Sequence, residues 1–387
     1  MRVTALPPLR RAVPLHKGHA AARLSVEEFF KGRPLALYAS GTAALSRAIS
    51  ACAARKSITS PEIILPAYGC PDLVAACAHA AVFPRLVDVA PGGWSFDTHS
   101  LEASISSNTV AIVAVNLLGL GDGAVELAQI CKTKRLSLIQ DSAQYLPRSP
   151  IDWPGDYVVL SFGRGKPMNL LYGGALIAPE GTDTPRSLEA ALYAPRDRLL
   201  ASRVAGIAFN ALTLPYAYRL FSALPGTGLG TVIYKPLRNA APLPENAWEK
   251  FGAAFGSYQT RPSYRRKPWI SAIEEWSMLG IAELACPGSS PPTEPLRLAL
   301  LAPDRITRET IVNRFNRSGL GASRFYGNDL SRIAGVPDEV RLQGPFPHAR
   351  ALADRLFTLP THDIVTADTV QLAREVMGTL HRTRTTQ

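Results

Sequence analysis

Residues 138–144 read LIQDSAQ, an apolar run that stops abruptly at an acid, and this stretch decides how the first half of the chain is interpreted. A short apolar run bounded by polar residues is typical of a buried β-strand. Ligands of open α/β sheets bind beyond the carboxyl ends of the strands, so Asp141 stands where a cofactor would be bound. A helix N-cap is the alternative role, because aspartate is a favoured capping residue.

Apolar runs of the same kind recur on both sides of this stretch, separated by segments with apolar residues at helical spacing. The alternation predicts an α/β fold with a mostly parallel, seven-stranded sheet and flanking helices. The predicted strands are 35–39, 62–66, 83–89, 110–116, 136–140, 156–161 and 174–178, with helices including 42–54, 71–80 and 124–134.

The length of 387 residues exceeds the roughly 250–300 residues at which a single hydrophobic core stops growing. We expect an N-terminal arm (1–24), a large domain (25–267) and a smaller C-terminal α+β domain (268–387). Within the large domain, residues 200–245 look like an insertion, because 204–218 carry no charge and several prolines interrupt the stretch from 225 to 244.

The uncharged stretch of the insertion is interrupted by Pro215 and is too short to span a bilayer, which requires about 20 apolar residues. It is either a helix buried in a subunit interface or, over residues 204–221 with Arg203 and Arg219 at its flanks, a helix lying in a membrane interface. The sequence favours the subunit interface, because buried helices are commoner than interfacial anchors.

The chain has a formal net charge of +11, but its Lys and Arg residues are scattered rather than clustered in runs. This distribution does not predict nucleic-acid binding and favours a small anionic ligand. The five cysteines form no C-x-x-C pair and no cluster with histidine at metal spacing, and the N-terminus lacks a continuous apolar segment. We therefore expect a reduced, cytoplasmic chain without a metal site.

A second candidate site follows the first predicted strand, where Ser40, Gly41 and Thr42 open a predicted helix. A helix N-terminus offers unpaired N–H groups and a positive dipole, and Gly41 permits close approach of the backbone to a phosphate. Ser40 is equally a favoured N-cap, so this motif alone leaves both roles open.

A third candidate site is SFGRGK at 161–166, which follows another apolar run. A lysine in a glycine-bordered loop at the ligand end of the sheet can form an imine with an aldehyde cofactor. The alternative is a solvated loop lysine. A P-loop is excluded, because the required G-x-x-x-x-G-K spacing is not met before Lys166.

The order and spacing of these motifs resemble the sugar aminotransferases of the DegT/StrS group, which are fold-type I enzymes dependent on pyridoxal phosphate (PLP). The resemblance runs from about Val26 to Glu180 and resumes near the C-terminus. The matching motifs are SGTAAL (40–45), PAY (66–68), DSAQ (141–144), SFGRGK (161–166), GG (173–174), GPFP (344–347) and LPTH (359–362).

The resemblance implies a role for each motif. Lys166 matches the lysine that carries PLP, and Asp141 matches the carboxylate that keeps the ring nitrogen protonated, so that the ring can act as an electron sink. Gln144 matches the group near the phenolic oxygen of the cofactor. The residues that match the phosphate cup are Gly41, Thr42 and Ser161.

The chain departs from the family pattern in the loop from which an aromatic ring normally stacks on the cofactor. Here the aligned position is Cys70, and Tyr68 lies two residues earlier, so both are candidate cofactor-binding residues. Asn116 replaces the histidine of V-H-x-x-G, and Tyr172 replaces the glutamate of G-E-G-G.

The family also places an asparagine of the partner subunit at the site. The insertion breaks the alignment there, and Asn210 and Asn246 both remain open for this role.

The function that the resemblance implies is transamination from an amino acid, with glutamate as the expected donor, to a nucleotide-linked keto-sugar by a homodimer in polysaccharide or glycoconjugate biosynthesis. One alternative is a PLP-dependent lyase or dehydratase acting on a sugar nucleotide. Dehydrating members can carry histidine in place of the lysine, so Lys166 argues against that version. The other alternative is a non-catalytic PLP-binding accessory protein of a polysaccharide pathway.

Overall fold

Seven short strands form the main sheet of the computed structural model, which describes residues 5–7, 11–13, 21–121, 123–182, 198–222, 231–244, 247–261, 265–285 and 294–385. The strands are β1 (Leu35–Tyr38), β2 (Glu62–Pro66), β3 (Phe83–Val87), β4 (Thr109–Val115), β5 (Ser137–Asp141), β6 (Tyr157–Ser161) and β7 (Gly174–Ile177).

The sheet has the strand order β1-β7-β6-β5-β4-β2-β3. Strands β3, β2, β4, β5 and β6 are parallel to one another. Strand β7 is antiparallel to both β6 and β1. The predicted α/β fold with a mostly parallel sheet is therefore confirmed.

The helices of the first half cover both faces of this sheet, because successive strand residues point to opposite faces. Val159 of β6 lies in a core with residues that include Ala44, whereas its neighbour Leu160 lies in a second core with Phe30. The helices are α1 (Ala21–Phe29), α2 (Gly41–Ala54), α3 (Asp72–His79), α4 (Thr98–Ser104) and α5 (Ala124–Lys134).

The predicted insertion contains two helices, α6 (Arg198–Leu212) and α7 (Pro215–Ser222). They contact the N-terminal segment of the chain: the Ala5 N–H donates to the Pro215 carbonyl at 3.0 Å, and the Ala12 N–H donates to Asn210 Oδ1 at 2.8 Å. Among the described residues, no helix combines the length and the hydropathy needed to cross a membrane.

The C-terminal part has its own antiparallel sheet of three strands and its own core, which contains Trp269, Trp276 and Phe315. This mixture of helices and strands agrees with the predicted α+β pattern, while the boundary at residue 268 stays a prediction. Helix α8 (Ala247–Thr260) packs against α1 in the second core of the main sheet. The elements of the C-terminal part are α9 (Ile270–Ser277), β8 (Ala282–Glu283), β9 (Arg297–Leu301), α10 (Arg305–Arg317), α11 (Asp338–Arg341), α12 (Pro347–Arg355), β10 (Leu356–Pro360) and α13 (Ala367–Thr385).

Two glycines bring the start of α2 against the ends of β6 and β7. A Cβ atom on Gly174 would lie 2.4 Å from the Gly41 nitrogen, and a Cβ atom on Gly41 would lie 2.6 Å from the Ser161 Cβ. No side chain fits between these backbones, so the two glycines permit the helix N-terminus to reach the ligand end of the sheet.

We predict that Gly174→Ala lowers the free energy of unfolding by roughly 1–3 kcal/mol, because the added methyl group forces two backbones apart. Gly256→Ala is the matched control, since a Cβ atom there meets no atom within 4 Å and the residue is exposed within α8. That control should gain about 0.5–1 kcal/mol. Urea titrations of the wild type and both variants measure the free energy of unfolding. Equal values for the two variants would contradict the close contact at Gly174.

Candidate active site

A cleft of about 480 Å³ lies where the ends of β4, β5 and β6 meet the start of α2. Seven of the eight residues that the sequence predicted for the site line this cleft, although they come from separate segments of the chain. They are Gly41, Thr42, Cys70, Asp141, Gln144, Ser161 and Lys166.

The start of α2 forms one wall of the cleft. Ser40 is the N-cap, and its Oγ accepts a hydrogen bond from the Ala43 N–H at 3.1 Å. Capping at residue 40 leaves the first-turn N–H groups of Gly41 and Thr42 without helical acceptors, and the first turn of α2 contains no acidic residue. The capping role and the anion-binding role are therefore compatible.

Asp141 ends β5, and no helix begins after it, which excludes the N-cap alternative. Its Oδ1 accepts a hydrogen bond from the Ala143 N–H at 3.0 Å. Burial raises the pKa of the Asp141 carboxyl, and the positive charge of Lys166 opposes this effect without cancelling it. A buried carboxyl of this kind is stabilised in its charged form when a further cation faces it.

Lys166 lies in the tight loop that follows β6. Its N–H donates to the Gly163 carbonyl at 3.3 Å, Gly165 adopts a positive φ of 75°, and the Leu170 N–H returns to the Phe162 carbonyl at 2.8 Å. The loop thus folds back on the end of its own strand. It holds the half-buried Lys166 side chain on the wall of the cleft, which excludes the solvated-loop alternative.

Gln144 is fixed by hydrogen bonds at both ends of its amide. Its Oε1 accepts from the Leu118 N–H at 2.9 Å, and its Nε2 donates to the Tyr326 Oη at 2.7 Å. Burial raises the pKa of the Tyr326 phenol well above its usual value, so the hydroxyl is neutral. Tyr326 lines the cleft from the C-terminal part of the chain.

Sequence reasoning missed Tyr326, because it lies far along the chain from the other motifs and outside any strand–helix unit. The available signal was the adjacent aromatic pair of Phe325 and Tyr326 next to Gly327. The cleft also contains Asp72, at the start of α3, which was not predicted either.

Tyr68 is the one predicted residue that does not line the cleft, and its assignment to the cofactor needs correction. Its ring is fully buried, and its centroid lies 5.6 Å from that of Tyr326, behind the cleft wall. The Leu330 N–H donates to the Ala67 carbonyl at 2.8 Å and holds this loop against the C-terminal part. Cys70 does line the cleft, and burial raises the pKa of its thiol to about 12.

An adjoining cleft of about 1070 Å³ shares Asn116 and Gln144 with the first. Asn116 is held in place, since its N–H donates to the Asp141 carbonyl at 3.0 Å and its Oδ1 accepts from the Gly121 N–H at 3.2 Å. The two clefts are therefore neighbours with a common wall.

Arg148 carries a positive charge into the adjoining cleft. Its guanidinium carbon lies 4.2 Å from the ring centroid of Tyr258, and its Nε lies 3.7 Å from Glu294 Oε2. The Arg148 charge is thus partly balanced within the cleft, which leaves a wall that is polar rather than strongly basic.

Of the two candidates for the partner-subunit asparagine, the structure describes Asn210 only. The Asn210 amide is bonded to Ala12 of its own chain, at 2.8 Å through Oδ1 and at 3.4 Å through Nδ2. Asn246 lies outside the described residues. The structure thus gives Asn210 a role within its own chain.

The residues of the cleft fit PLP. The start of α2 offers N–H donors and Ser161 a hydroxyl for a phosphate, and a Cβ atom on Gly41 would clash with the Ser161 side chain. Asp141 offers a buried carboxyl for a ring nitrogen, and Lys166 offers a primary amine for an aldehyde. The cleft therefore has a group for the phosphate, for the ring nitrogen and for the aldehyde of this cofactor.

The fold is that of the fold-type I PLP-dependent enzymes, and the cleft brings together residues that fit PLP. Residues 25–189 match the model of the DegT/DnrJ/EryC1/StrS aminotransferase family. The resemblance inferred from the motifs is confirmed, and so is PLP as the cofactor of the family.

Relatives of the chain carry both aminotransferase and dehydratase names. A Streptoalloteichus tenebrarius protein, provisionally named L-glutamine:3-amino-2,3-dideoxy-scyllo-inosose aminotransferase, is 29% identical over 157 residues, which cover 39% of this chain and 37% of that protein. The dTDP-4-dehydro-2,6-dideoxy-D-glucose 3-dehydratase of Saccharopolyspora spinosa is 24% identical over 366 residues, which cover 87% of this chain and 74% of that protein.

The fold is also found among solved structures. A Streptococcus pneumoniae protein, provisionally named a sugar aminotransferase and solved in its PLP form, superposes with a TM-score of 0.67 at 17% identity, over 98% of both chains. At this level of identity the likeness concerns the fold.

We predict that Asp141→Asn leaves the cofactor-free protein at least as stable as the wild type at neutral pH. Burial raises the carboxyl pKa, so the stability that this group contributes is fully present below its unfolded pKa of about 3.9 and is lost as the pH rises through the folded value. The amide of the Asp141→Asn variant does not ionise, so no charge has to be buried as the pH rises. Added PLP should raise the Tm of the wild type more than that of the variant, because only the carboxylate gains a cationic partner.

Thermal melts from acid to neutral pH, with and without PLP, test this prediction. Asp338→Asn removes an exposed carboxyl and serves as the control that should change neither response. A cofactor-free Asp141→Asn protein with a much lower Tm than the wild type would assign Asp141 a structural role.

Proposed function

We propose that this chain is a PLP-dependent aminotransferase that moves an amino group from an amino acid, with glutamate as the expected donor, to the keto group of a nucleotide-linked sugar. The observation that carries the proposal is the convergence of Lys166, Asp141, Gln144 and the start of α2 on one cleft. The family match over residues 25–189 supports it.

When bound, PLP supplies an electron sink that stabilises negative charge on the substrate carbon beside the amine. The Lys166 amine would hold the cofactor's aldehyde carbon and, once a substrate amine displaces it, carry a proton to or from the substrate carbon. The Asp141 carboxylate would keep a proton on the ring nitrogen. Gly41, Thr42 and Ser161 would hold the phosphate, and the Gln144 amide would lie near the phenolic oxygen.

The adjoining cleft would take the sugar nucleotide. It shares Asn116 and Gln144 with the first cleft, so a sugar bound there would lie beside the groups that would move the proton. Arg148 offers a cation on its wall. The net charge of +11 is suited to attracting a diphosphate from solution.

A dehydratase is the second candidate, because the Saccharopolyspora spinosa relative that matches across 87% of this chain carries that name. Lys166 favours amination, since dehydrating members of the family can carry histidine at this position. A non-catalytic accessory protein is disfavoured by the joint presence of Lys166, Asp141 and Gln144 in one cleft.

The test that separates these functions is a panel of keto-sugar nucleotides incubated with the protein, PLP and glutamate carrying a nitrogen isotope label. Mass spectrometry should find the label in a sugar product. A product that has lost water without gaining the label would establish the lyase, and no conversion by a PLP-loaded protein across the panel would favour the accessory role.

We predict that Lys166→Ala abolishes turnover and the covalent attachment of PLP, because no other amine lines the described cleft. Borohydride reduction followed by peptide mapping should locate PLP on Lys166 in the wild type and find no adduct in the variant. Lys31→Ala, which removes an exposed lysine paired with Asp152, is the control. A reduced adduct on another lysine in the variant would overturn the assignment.

We also propose that the chain is a cytoplasmic homodimer of a polysaccharide or glycoconjugate pathway, as the resemblance implies, because two-fold dimers are the commonest closed assemblies. Analytical ultracentrifugation of the PLP-loaded protein should give twice the chain mass. A monomer that turns over substrate would contradict this prediction.

A further inference from the structure

In the described part of α6 and α7, two polar side chains face the protein and several large apolar side chains are exposed. Thr213 is buried, and Asn210 is bonded to the backbone of Ala12. Over residues 205–220, where the side chains are described, the large exposed side chains are all apolar or aromatic: Ile207, Leu212, Leu214, Tyr216 and Leu220. A helix that faces water has the opposite arrangement.

The exposed apolar side chains are concentrated in one segment of the sequence, on two helices that contact each other. Five of the twelve large hydrophobic residues exposed in the described part of the chain fall within residues 207–220. Ile207 is 72% exposed and Leu220 is 74% exposed. Scattered single residues need no explanation, but a contiguous patch marks a surface that another apolar surface covers.

The charge of the same segment identifies what covers the patch. Positions 198–244 contain no aspartate or glutamate, and the basic residues in this range are Arg198, Arg203, Arg219, Lys235 and Arg238. If a two-fold axis passed through this patch, the interface would bring its arginines together with no carboxylate from the segment to pair with them. A bilayer with anionic lipids offers both hydrocarbon and negative charge.

We propose that α6 and α7 bind to the surface of an anionic lipid bilayer, with Ile207, Leu212 and Leu220 at the level of the acyl chains. The 15 residues of α6 and the 8 residues of α7 are too few to cross a hydrocarbon core of about 30 Å. The helices therefore lie in the interface. This assignment takes the membrane alternative for the segment in place of the subunit interface favoured from sequence, and it is independent of the proposed amino transfer.

The backbone and side-chain bonds of Ala5 and Ala12 to this pair of helices anchor it to the body of the protein. Binding of the pair to lipid would therefore hold the whole enzyme at the membrane surface. The structure thus assigns the segment the role of a peripheral anchor.

Co-sedimentation of the PLP-loaded protein with vesicles of phosphatidylcholine, with and without phosphatidylglycerol, tests the proposal. The wild type should bind the anionic vesicles, and Ile207→Asp/Leu220→Asp should weaken binding by at least about tenfold, because two carboxylates would enter the interface. The matched control is Ile306→Asp/Leu342→Asp, which makes the same charge change at residues that are 77% and 80% exposed elsewhere. It should retain most of the binding.

Three results would overturn the proposal: no vesicle binding by the wild type, an equal loss in both variants, or a halved particle mass of the Ile207/Leu220 variant with unchanged vesicle binding. The second result would indicate attraction by net charge alone, and the third would identify a second copy as the occupant. Circular dichroism and PLP absorbance confirm folding of each variant. If the Ile207→Asp/Leu220→Asp variant does not fold, the Ile207→Ser/Leu220→Ser variant takes its place in the same experiment.

Discussion

The active cleft depends on the contact between the backbones of Gly174 and Gly41. The start of α2 lies so close to β7 that a single methyl group on Gly174 would be 2.4 Å from the Gly41 nitrogen. This contact delivers the positive end of a 14-residue helix to the carboxyl ends of β5 and β6. Without it, the N–H groups for an anion and the residues that follow those strands would not face the same space.

Charge in the cleft is arranged around a buried acid that has an incomplete set of partners within the chain. The Asp141 carboxyl receives one N–H hydrogen bond, from Ala143, and its raised pKa shows that burial outweighs the nearby lysine charge. A cationic ring nitrogen would stabilise the charged form of this buried carboxyl, and that stabilisation would contribute to the affinity for the cofactor. The same residue therefore limits the stability of the free protein and favours the bound form.

The sequence predicted the main sheet, and seven of the eight residues that it proposed for the site line one cleft. Most of these predictions rested on a local pattern, an apolar run followed by Gly41, Asp141 or the lysine loop. It failed at Tyr68 and missed Tyr326. The two rings lie 5.6 Å apart although the residues are far apart along the chain, and no periodicity indicates such a long-range contact.

The orientation of the helices in the insertion also depends on long-range contacts that sequence patterns do not indicate. Its apolar composition was visible in the sequence, but which residues face outward depends on how the N-terminal arm bonds to Asn210. In a helix with few polar residues, the sequence has no clear hydrophobic periodicity from which the buried face could be predicted. The orientation of α6 was therefore accessible only from the fold.

The C-terminal part completes a site whose cofactor residues lie elsewhere. The family match ends at residue 189, and within it lie the lysine, the acid and the phosphate-binding turn. The ring of Tyr326 reaches the cleft from outside that segment and fixes Gln144 through its hydroxyl. Because Gln144 also lines the adjoining cleft, the position of the C-terminal part is coupled to the space in which a substrate would lie.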